Sequence, residues 1–232
     1  MFVGHYGVGL ALKSIDKKVN LGWIFLATML PDIFLGIFVL LGIEKVKIPD
    51  NYSQLHYLLF DFPLSHGLTA TIIWSVLIMI LVKVFWPNKV ADKNRVAVIL
   101  VLTYFSHFLL DAIVHVPEIP ILGNNSYKIG LGLWSILPLE IALELCIALI
   151  GLYIYLKVNK EKSTKSKIGI SVIIVVLSLF TLSQAFSPMP TVSTVKFIAI
   201  QWIASGLGVS FLGFWIDNDE RISHKKVICK ND

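Results

Sequence analysis

Histidine and acidic side chains with regular spacing lie inside otherwise apolar stretches of the sequence. His107, Asp111 and His115 follow one another at intervals of four residues, so on a helix they lie along one face. An imidazole and a carboxylate one helical turn apart can bind the same cation, as the two histidines of an HExxH helix do. Glu140 and Glu144 have the same spacing. The pattern therefore suggests metal-ion chemistry within apolar segments.

Further ionisable residues occur in apolar surroundings. Asp32 follows Pro31 in the first long apolar run, His66 precedes the second, and His5 lies in an apolar N-terminal stretch. A charge at bilayer depth costs about 2.5–3.5 kcal/mol on insertion scales, and such residues usually face the interior of a helix bundle. Each alone has a structural explanation, since Asp32 can bond backbone groups freed by Pro31 and Glu140 can complement a helix dipole. Together they favour a site.

The elements that must position these residues follow from the composition. The chain has 232 residues, of which 56% are hydrophobic and 15% charged, whereas a soluble domain carries about 25% charged residues. The apolar residues form runs close to the roughly 20 residues that cross a bilayer. We predict an all-α fold, a polytopic membrane helix bundle that forms a single domain over residues 1–232. The predicted spans are Leu21–Ile43, Leu64–Trp86, Val96–Val116, Leu133–Leu156, Ile168–Phe186 and Val195–Ile216.

The N-terminal stretch Phe2–Leu12 is apolar but too short to span. We predict a half-inserted or interfacial helix that packs back against the first span. Antiparallel pairing about a turn at Asp16–Asn20 would bring His5 to the level of Asp32. The first residues have no basic region of the kind that begins a signal peptide, so no removable signal is expected.

Basic residues predict the orientation. With the N-terminus in the cytoplasm, only Lys45, Lys47, Lys128 and Lys196 of the 20 Lys and Arg residues face outward, as the positive-inside rule requires. Both termini, including the basic tail 217–232, are then cytoplasmic, and the number of spans is even. The basic run 157–167 could bind anionic lipid or nucleic acid. Every other cytoplasmic loop is basic too, which favours a topological role, and no nucleic-acid partner is expected.

The polar residues share one side of the predicted membrane. At about 1.5 Å per residue, His66 and Asp111 lie roughly 3–8 Å, and His107 and Glu140 roughly 10–14 Å, from the outer ends of their spans. Asp32 and Glu144 lie about 16–17 Å deep. All therefore fall in the outer half of the bundle. The two cysteines, Cys146 and Cys229, lie on different segments, so no disulfide is expected.

The same residues resemble the motifs of a known protein family. The N-terminal His followed by small residues, the Leu-Pro-Asp within the first span, the Ser-His before the second and the His-x-x-x-Asp in the third resemble a bacterial family of predicted membrane-bound metal-dependent hydrolases. That family includes the LexA-binding inner-membrane-associated hydrolases and has a distant likeness to zinc-dependent phospholipase C. The resemblance covers residues 1–116 and implies a plasma-membrane protein. It implies as metal ligands, or their neighbours, His5, Asp32, His66, His107 and Asp111.

The leading hypothesis is a membrane-embedded metal-dependent hydrolase that acts on a lipid-like or phosphoester substrate near the outer leaflet. Its cofactor is expected to be a divalent ion, zinc in view of the imidazole content. The ion would activate a water molecule, with Glu144 or Asp32 as the catalytic base. Two alternatives stay open: a proton- or ion-coupled transporter that uses the intramembrane acids and histidines, and a non-catalytic membrane scaffold. The expected partners are membrane lipid and a small-molecule or lipid substrate.

Overall fold

The protein folds into a bundle of helices with two small hairpins at one end. The structure, a computed structural model, describes residues 1–52, 56–87 and 91–228, and their side chains except those of residues 192, 193 and 218–228. The side chains of the basic tail beyond Asp217, and Cys229, therefore lie outside the described residues. The helices are α1 (Val3–Lys13), α2 (Leu21–Leu40), α3 (Leu68–Phe85), α4 (Lys93–Val114), α5 (Leu137–Val158), α6 (Thr164–Ser183) and α7 (Val192–Ile228).

Six helical stretches of the described chain are long and apolar enough to cross a membrane, and the predicted fold class is confirmed. They are Leu21–Leu40, Leu68–Phe85, Lys93–Val114, Leu137–Val158, Thr164–Phe186 and Thr194–Asp217. Each overlaps one predicted span, with ends shifted by up to four residues. The helix α3 shows the surface expected of a lipid-facing element, because Ile72, Ile73 and Val76 are all exposed, and apolar patches of this kind are rare on soluble proteins.

The N-terminal helix α1 lies inside the bundle. Val3, Tyr6 and Leu10 are completely buried, so this helix packs among the other helices and not on their outer surface. As predicted, α1 packs against α2, where the rings of Tyr6 and Phe25 meet edge to face at 5.2 Å. It also packs closely on α5, a contact the sequence did not reveal.

Glycines make the α1–α5 contact possible. A Cβ atom on Gly7 would lie 2.5 Å from the carbonyl oxygen of Ile147, and one on Gly151 would lie 2.0 Å from the carbonyl oxygen of Gly7. The two backbones therefore touch directly, as small residues allow in membrane helix pairs. Gly206 on α7 likewise allows close packing on α2, since a Cβ on Gly206 would lie 2.8 Å from the side chain of Ile33.

The two hairpins lie at the end of the bundle where α2 and α4 terminate. Strand β1 (Lys45–Lys47) pairs antiparallel with β2 (Leu59–Asp61), and β3 (Ile119–Pro120) pairs with β4 (Lys128–Ile129). Phe62 and Ile119 from these loops are fully buried and pack with Leu35 and Phe108 in a small apolar core. This core fixes the loop segments that carry His66 and His115. We call this the cluster end, and the opposite end, where α1 finishes and α2 begins, the basic end.

Candidate metal centre

All five residues implied as ligands come together at the cluster end. His5 Nε2 lies 3.2 Å from Asp111 Oδ1, and His107 Nε2 lies 3.1 Å from Asp111 Oδ2. His66 Nε2 lies 3.3 Å from Asp32 Oδ1 and 3.5 Å from Asp111 Oδ2. The donor atoms of His5, His107 and Asp111 lie within 4.8 Å of one another, as do those of Asp32, His66 and His107. These five residues are the His/Asp cluster.

Four segments that are distant in sequence position the His/Asp cluster. His5 comes from the first turn of α1, Asp32 from the second half of α2, and His66 from the turn that precedes α3. His107 and Asp111 occupy adjacent turns of α4. His5, His66, His107 and Asp111 are buried, while the Asp32 side chain is 16% exposed. The site therefore forms only when the whole N-terminal half of the chain has folded.

The orientation of His107 leaves its Nε2 atom free. Its Nδ1 lies 2.8 Å from the carbonyl oxygen of Thr28, which can only accept a hydrogen bond, so Nδ1 carries the proton. Nε2 then presents its lone pair to Asp111 and Asp32. Metal-bound histidines almost always donate the second ring N–H to an oxygen in this way.

His66 is held by a chain of hydrogen bonds that the sequence did not reveal. The carboxylate of Glu44 accepts the backbone N–H groups of Leu64 and Ser65 at 2.7 and 2.9 Å, and the Ser65 hydroxyl at 2.6 Å. Because that hydroxyl donates to Glu44, it accepts from His66 Nδ1 at 2.8 Å. Nε2 of His66 therefore faces Asp32 and Asp111 as an acceptor, the same arrangement as in His107.

His115 lies at the margin of the cluster. Its Nδ1 donates to Glu118 Oε1 at 2.7 Å, and the second oxygen of Glu118 accepts the N–H of Phe60 at 2.7 Å. Burial lowers the pKa of His115 below its usual value, although the Glu118 carboxylate acts in the opposite direction. Nε2 of His115 lies 3.9 Å from Asp111 Oδ2. The spacing of three residues between His115 and Glu118 could have predicted this contact from the sequence.

Glu144 lies beside the cluster and is engaged elsewhere. Its carboxylate accepts the N–H of Phe2 at 2.8 and 2.9 Å and that of Gly4 at 3.0 Å. It therefore satisfies backbone donors at the start of α1, which have no partner within the helix. The spacing of Glu140 and Glu144 could not show this, because the amides come from a segment some 140 residues away.

The residues fit a metal ion. Both ring nitrogens of His5 and Nε2 of His107 are among the buried polar atoms that lack a hydrogen-bond partner within the described residues, and an ion or a water molecule satisfies such atoms in other proteins. The rings of His5 and His107 are stacked at 3.7 Å, so two imidazolium charges there would repel. Neutral imidazole nitrogens with carboxylate oxygens form a donor set suited to divalent metals. The terminal ammonium group of Met1 donates a hydrogen bond to Asp111 Oδ1 at 3.1 Å, so this oxygen already has one partner.

The His/Asp cluster borders a cavity of about 400 Å³, within the range of ligand-binding pockets. Asp32, His66 and Asp111 line it, together with both acidic residues of α5. Side chains of α6 and α7 form the other side; most of them are apolar, and Gln201 and Ser205 of α7 are polar. A larger cavity of about 550 Å³ lies near the basic end, but its lining contains none of the site residues and is almost wholly apolar. Of these two cavities, the His/Asp cluster therefore borders the smaller one.

Comparisons of the chain with protein-family models, with curated proteins and with solved structures gave no match. The site is therefore defined by its own geometry, and the family resemblance stays a prediction.

Proposed function

We propose that the protein is a membrane-embedded metal-dependent hydrolase that cleaves an ester or phosphoester bond of a lipid-like substrate. One observation supports this most strongly: the Nε2 atoms of three histidines point at two carboxylates, while the Nδ1 atoms of His66 and His107 are held by oxygens behind them. A scaffold needs only satisfied polar groups. Here ring nitrogens of His5 and His107 lack a hydrogen bond, next to a cavity that Asp32, His66 and Asp111 line.

The proposed ligands are His5, His66, His107 and Asp111, with Asp32 as a ligand or neighbour. The ion is proposed to be zinc, which takes imidazole and carboxylate donors. When bound, such an ion polarises the scissile group and supplies a nucleophile from water at neutral pH.

Asp32 is the better of the two candidates for the base. Its side chain is partly exposed, lines the cavity and lies 3.3 Å from His66 Nε2 and 3.7 Å from His107 Nε2. It can therefore accept a proton from a molecule in the cavity. Glu144 lines the same cavity, but its oxygens already accept backbone N–H groups, which leaves it less able to take a proton.

The proposed location is a bacterial plasma membrane, with both termini in the cytoplasm and the cluster in the outer half of the bilayer. The support for this is the distribution of basic residues together with the six apolar helices. Cysteine-accessibility labelling of positions such as Lys45 and Lys160 in intact cells distinguishes this orientation from its inverse.

The test is hydrolysis by the full chain in mild detergent, with p-nitrophenyl decanoate and p-nitrophenyl phosphorylcholine as probes. We expect turnover that a chelator abolishes and zinc restores. His107→Ala should lose turnover and metal, and Asp32→Asn should lose most turnover. Glu161→Gln, in an exposed ion pair with Lys17, should match the wild type. A different result would favour the transporter alternative. In that case the zinc-loaded protein shows no turnover but carries a proton flux in liposomes, and His107→Ala loses this flux.

A further inference from the structure

The cavity beside the His/Asp cluster reaches the lipid-facing surface of the bundle. Val176 and Phe180 on α6 both line the cavity, and both are exposed, at 57% and 41%. Their neighbours Val175 and Leu179 are exposed without lining it. Side chains that border the cavity and also lie on the outer surface mark the place where the cavity opens sideways.

The opening lies within the apolar span. Val176 and Phe180 are ten and six residues from the end of the apolar stretch Thr164–Phe186, or about 15 and 9 Å along the helix axis. A span of this kind crosses about 30 Å of hydrocarbon. The opening therefore faces lipid chains and not water.

Apolar side chains continue from this opening towards the cluster. Leu177 on α6, with Ile198 and Trp202 on α7, line the cavity together with Leu35 on α2, and the polar side chains of Gln184, Gln201 and Ser205 line it as well. The described hydrogen bond between α6 and α7, from the Ser166 hydroxyl to the Ile216 carbonyl at 3.1 Å, lies at the basic end. Within the described residues, no hydrogen bond closes the two helices beside the cavity. This wall suits a hydrocarbon chain, and the carboxylates and imidazoles at its far side suit a polar head.

We propose that a fatty acyl chain of a bilayer glycerolipid enters the cavity sideways between α6 and α7 and occupies the apolar wall. The proposal rests on the proposed function for what happens to the head group, and it adds the substrate class and the access route. Bilayer lipids are supplied at high local concentration at this depth, whereas a water-soluble ester would have to reach the cluster through the hairpin loops.

Photolabelling tests the proposal without any need for turnover. The full chain is reconstituted in vesicles of phosphatidylethanolamine and phosphatidylglycerol that contain a small fraction of phosphatidylcholine with a diazirine in one acyl chain. After irradiation, labelled residues are identified by mass spectrometry. We expect label on Leu177 and Trp202, in addition to surface residues such as Ile73 on α3. Label confined to the surface residues would overturn the proposal.

Two neighbouring substitutions make a matched pair. Val176→Trp should block the opening and remove most of the label from Leu177 and Trp202, whereas Val175→Trp, at a position 55% exposed outside the cavity, should leave it unchanged. Equal labelling of the two variants would contradict the access route. Both should bind as much zinc as the wild type. Label on the internal residues of a protein that binds no zinc would refute the proposed hydrolase and support lipid entry. Zinc-dependent turnover without internal label would support the hydrolase and refute lipid entry.

Discussion

Two groups of buried ionisable residues occupy opposite ends of the same bundle, and they differ in how completely their bonds are made. At the basic end, Asp217 accepts Lys13 Nζ at 3.0 Å, the Leu21 N–H at 2.7 Å and the ammonium group of Lys162. Lys13 also donates to the carbonyl oxygens of Lys17 and Val19, so all three of its N–H groups are used. At the cluster end, imidazole nitrogens remain without hydrogen bonds.

This difference distinguishes polar groups with a structural role from those that we propose to bind a metal ion. The basic-end group ties α1 to the start of α2, to α7 and to the α5–α6 loop, and its charges are compensated within the protein. The His/Asp cluster is equally buried but holds its free nitrogens against two carboxylates beside a cavity. Burial alone therefore does not mark a site; unused donor atoms that converge do.

Replacing the centre of the cluster should have the largest effect. Asp111 contacts His5, His66 and His107, so Asp111→Asn should weaken zinc binding by more than the roughly 10–100-fold that outer-shell changes cost. Competition with a chromophoric chelator measures this affinity. His115→Ala is the matched control, since its Nε2 is 3.9 Å from Asp111, and it should weaken binding less. Equal affinities for Asp111→Asn and wild type would remove Asp111 from the site.

The same substitution at the other end should affect stability and leave metal binding intact. Asp217→Asn leaves two buried ammonium groups without their carboxylate and should cost about 3–5 kcal/mol of unfolding free energy. Thermal or denaturant unfolding in detergent measures the loss. The exposed pair Lys17–Glu161 is the control, where Glu161→Gln should cost at most about 1 kcal/mol. A loss of zinc in correctly folded Asp217→Asn would contradict the separation of the two groups.

The residues behind the ligands should have an intermediate effect. Glu44→Gln disturbs the Ser65 hydroxyl that holds His66 and should reduce zinc affinity about 10–100-fold. Isothermal titration measures it. Glu118→Gln makes the equivalent change behind His115 and should have the smaller effect. If Glu44→Gln binds zinc as the wild type does, the Glu44–Ser65–His66 chain does not position a ligand.

The smallest effect is expected at Glu144. Glu144→Gln keeps one acceptor for the amides of α1 and should cost about 1 kcal/mol, as the loss of a helix cap does, with zinc content and hydrolysis retained. Unfolding, metal analysis and the ester assay are measured on the same preparation. Loss of turnover with stability unchanged would instead identify Glu144 as the base.

The span pattern and the residues of the His/Asp cluster could be predicted from the sequence for physical reasons. A bilayer imposes a minimum length on apolar helices, so six runs appear without knowledge of their packing. The cost of a charge in lipid makes residues such as Asp32 and His107 stand out. The alternation of helix direction then places them at one end.

The rest depends on contacts between distant segments. Glu44 and Ser65 occupy a loop and turn with no periodic signal, and the amides that bind Glu144 come from a helix expected only against α2. Lys13 and Lys162 were interpreted through the positive-inside pattern, which says nothing about Asp217 as their partner. These roles depend on which helices and loops pack against each other, and a single sequence does not show which pairs form.

Metal analysis of the full chain tests the central claim most directly. Protein purified in mild detergent, incubated with zinc and freed of excess metal is analysed by inductively coupled plasma mass spectrometry beside His107→Ala and Asp217→Asn. We predict stoichiometric zinc in the wild type and in Asp217→Asn, and none in His107→Ala, which removes a residue shared by both donor triads. Wild-type protein without zinc, or His107→Ala with as much zinc as the wild type, would contradict the account.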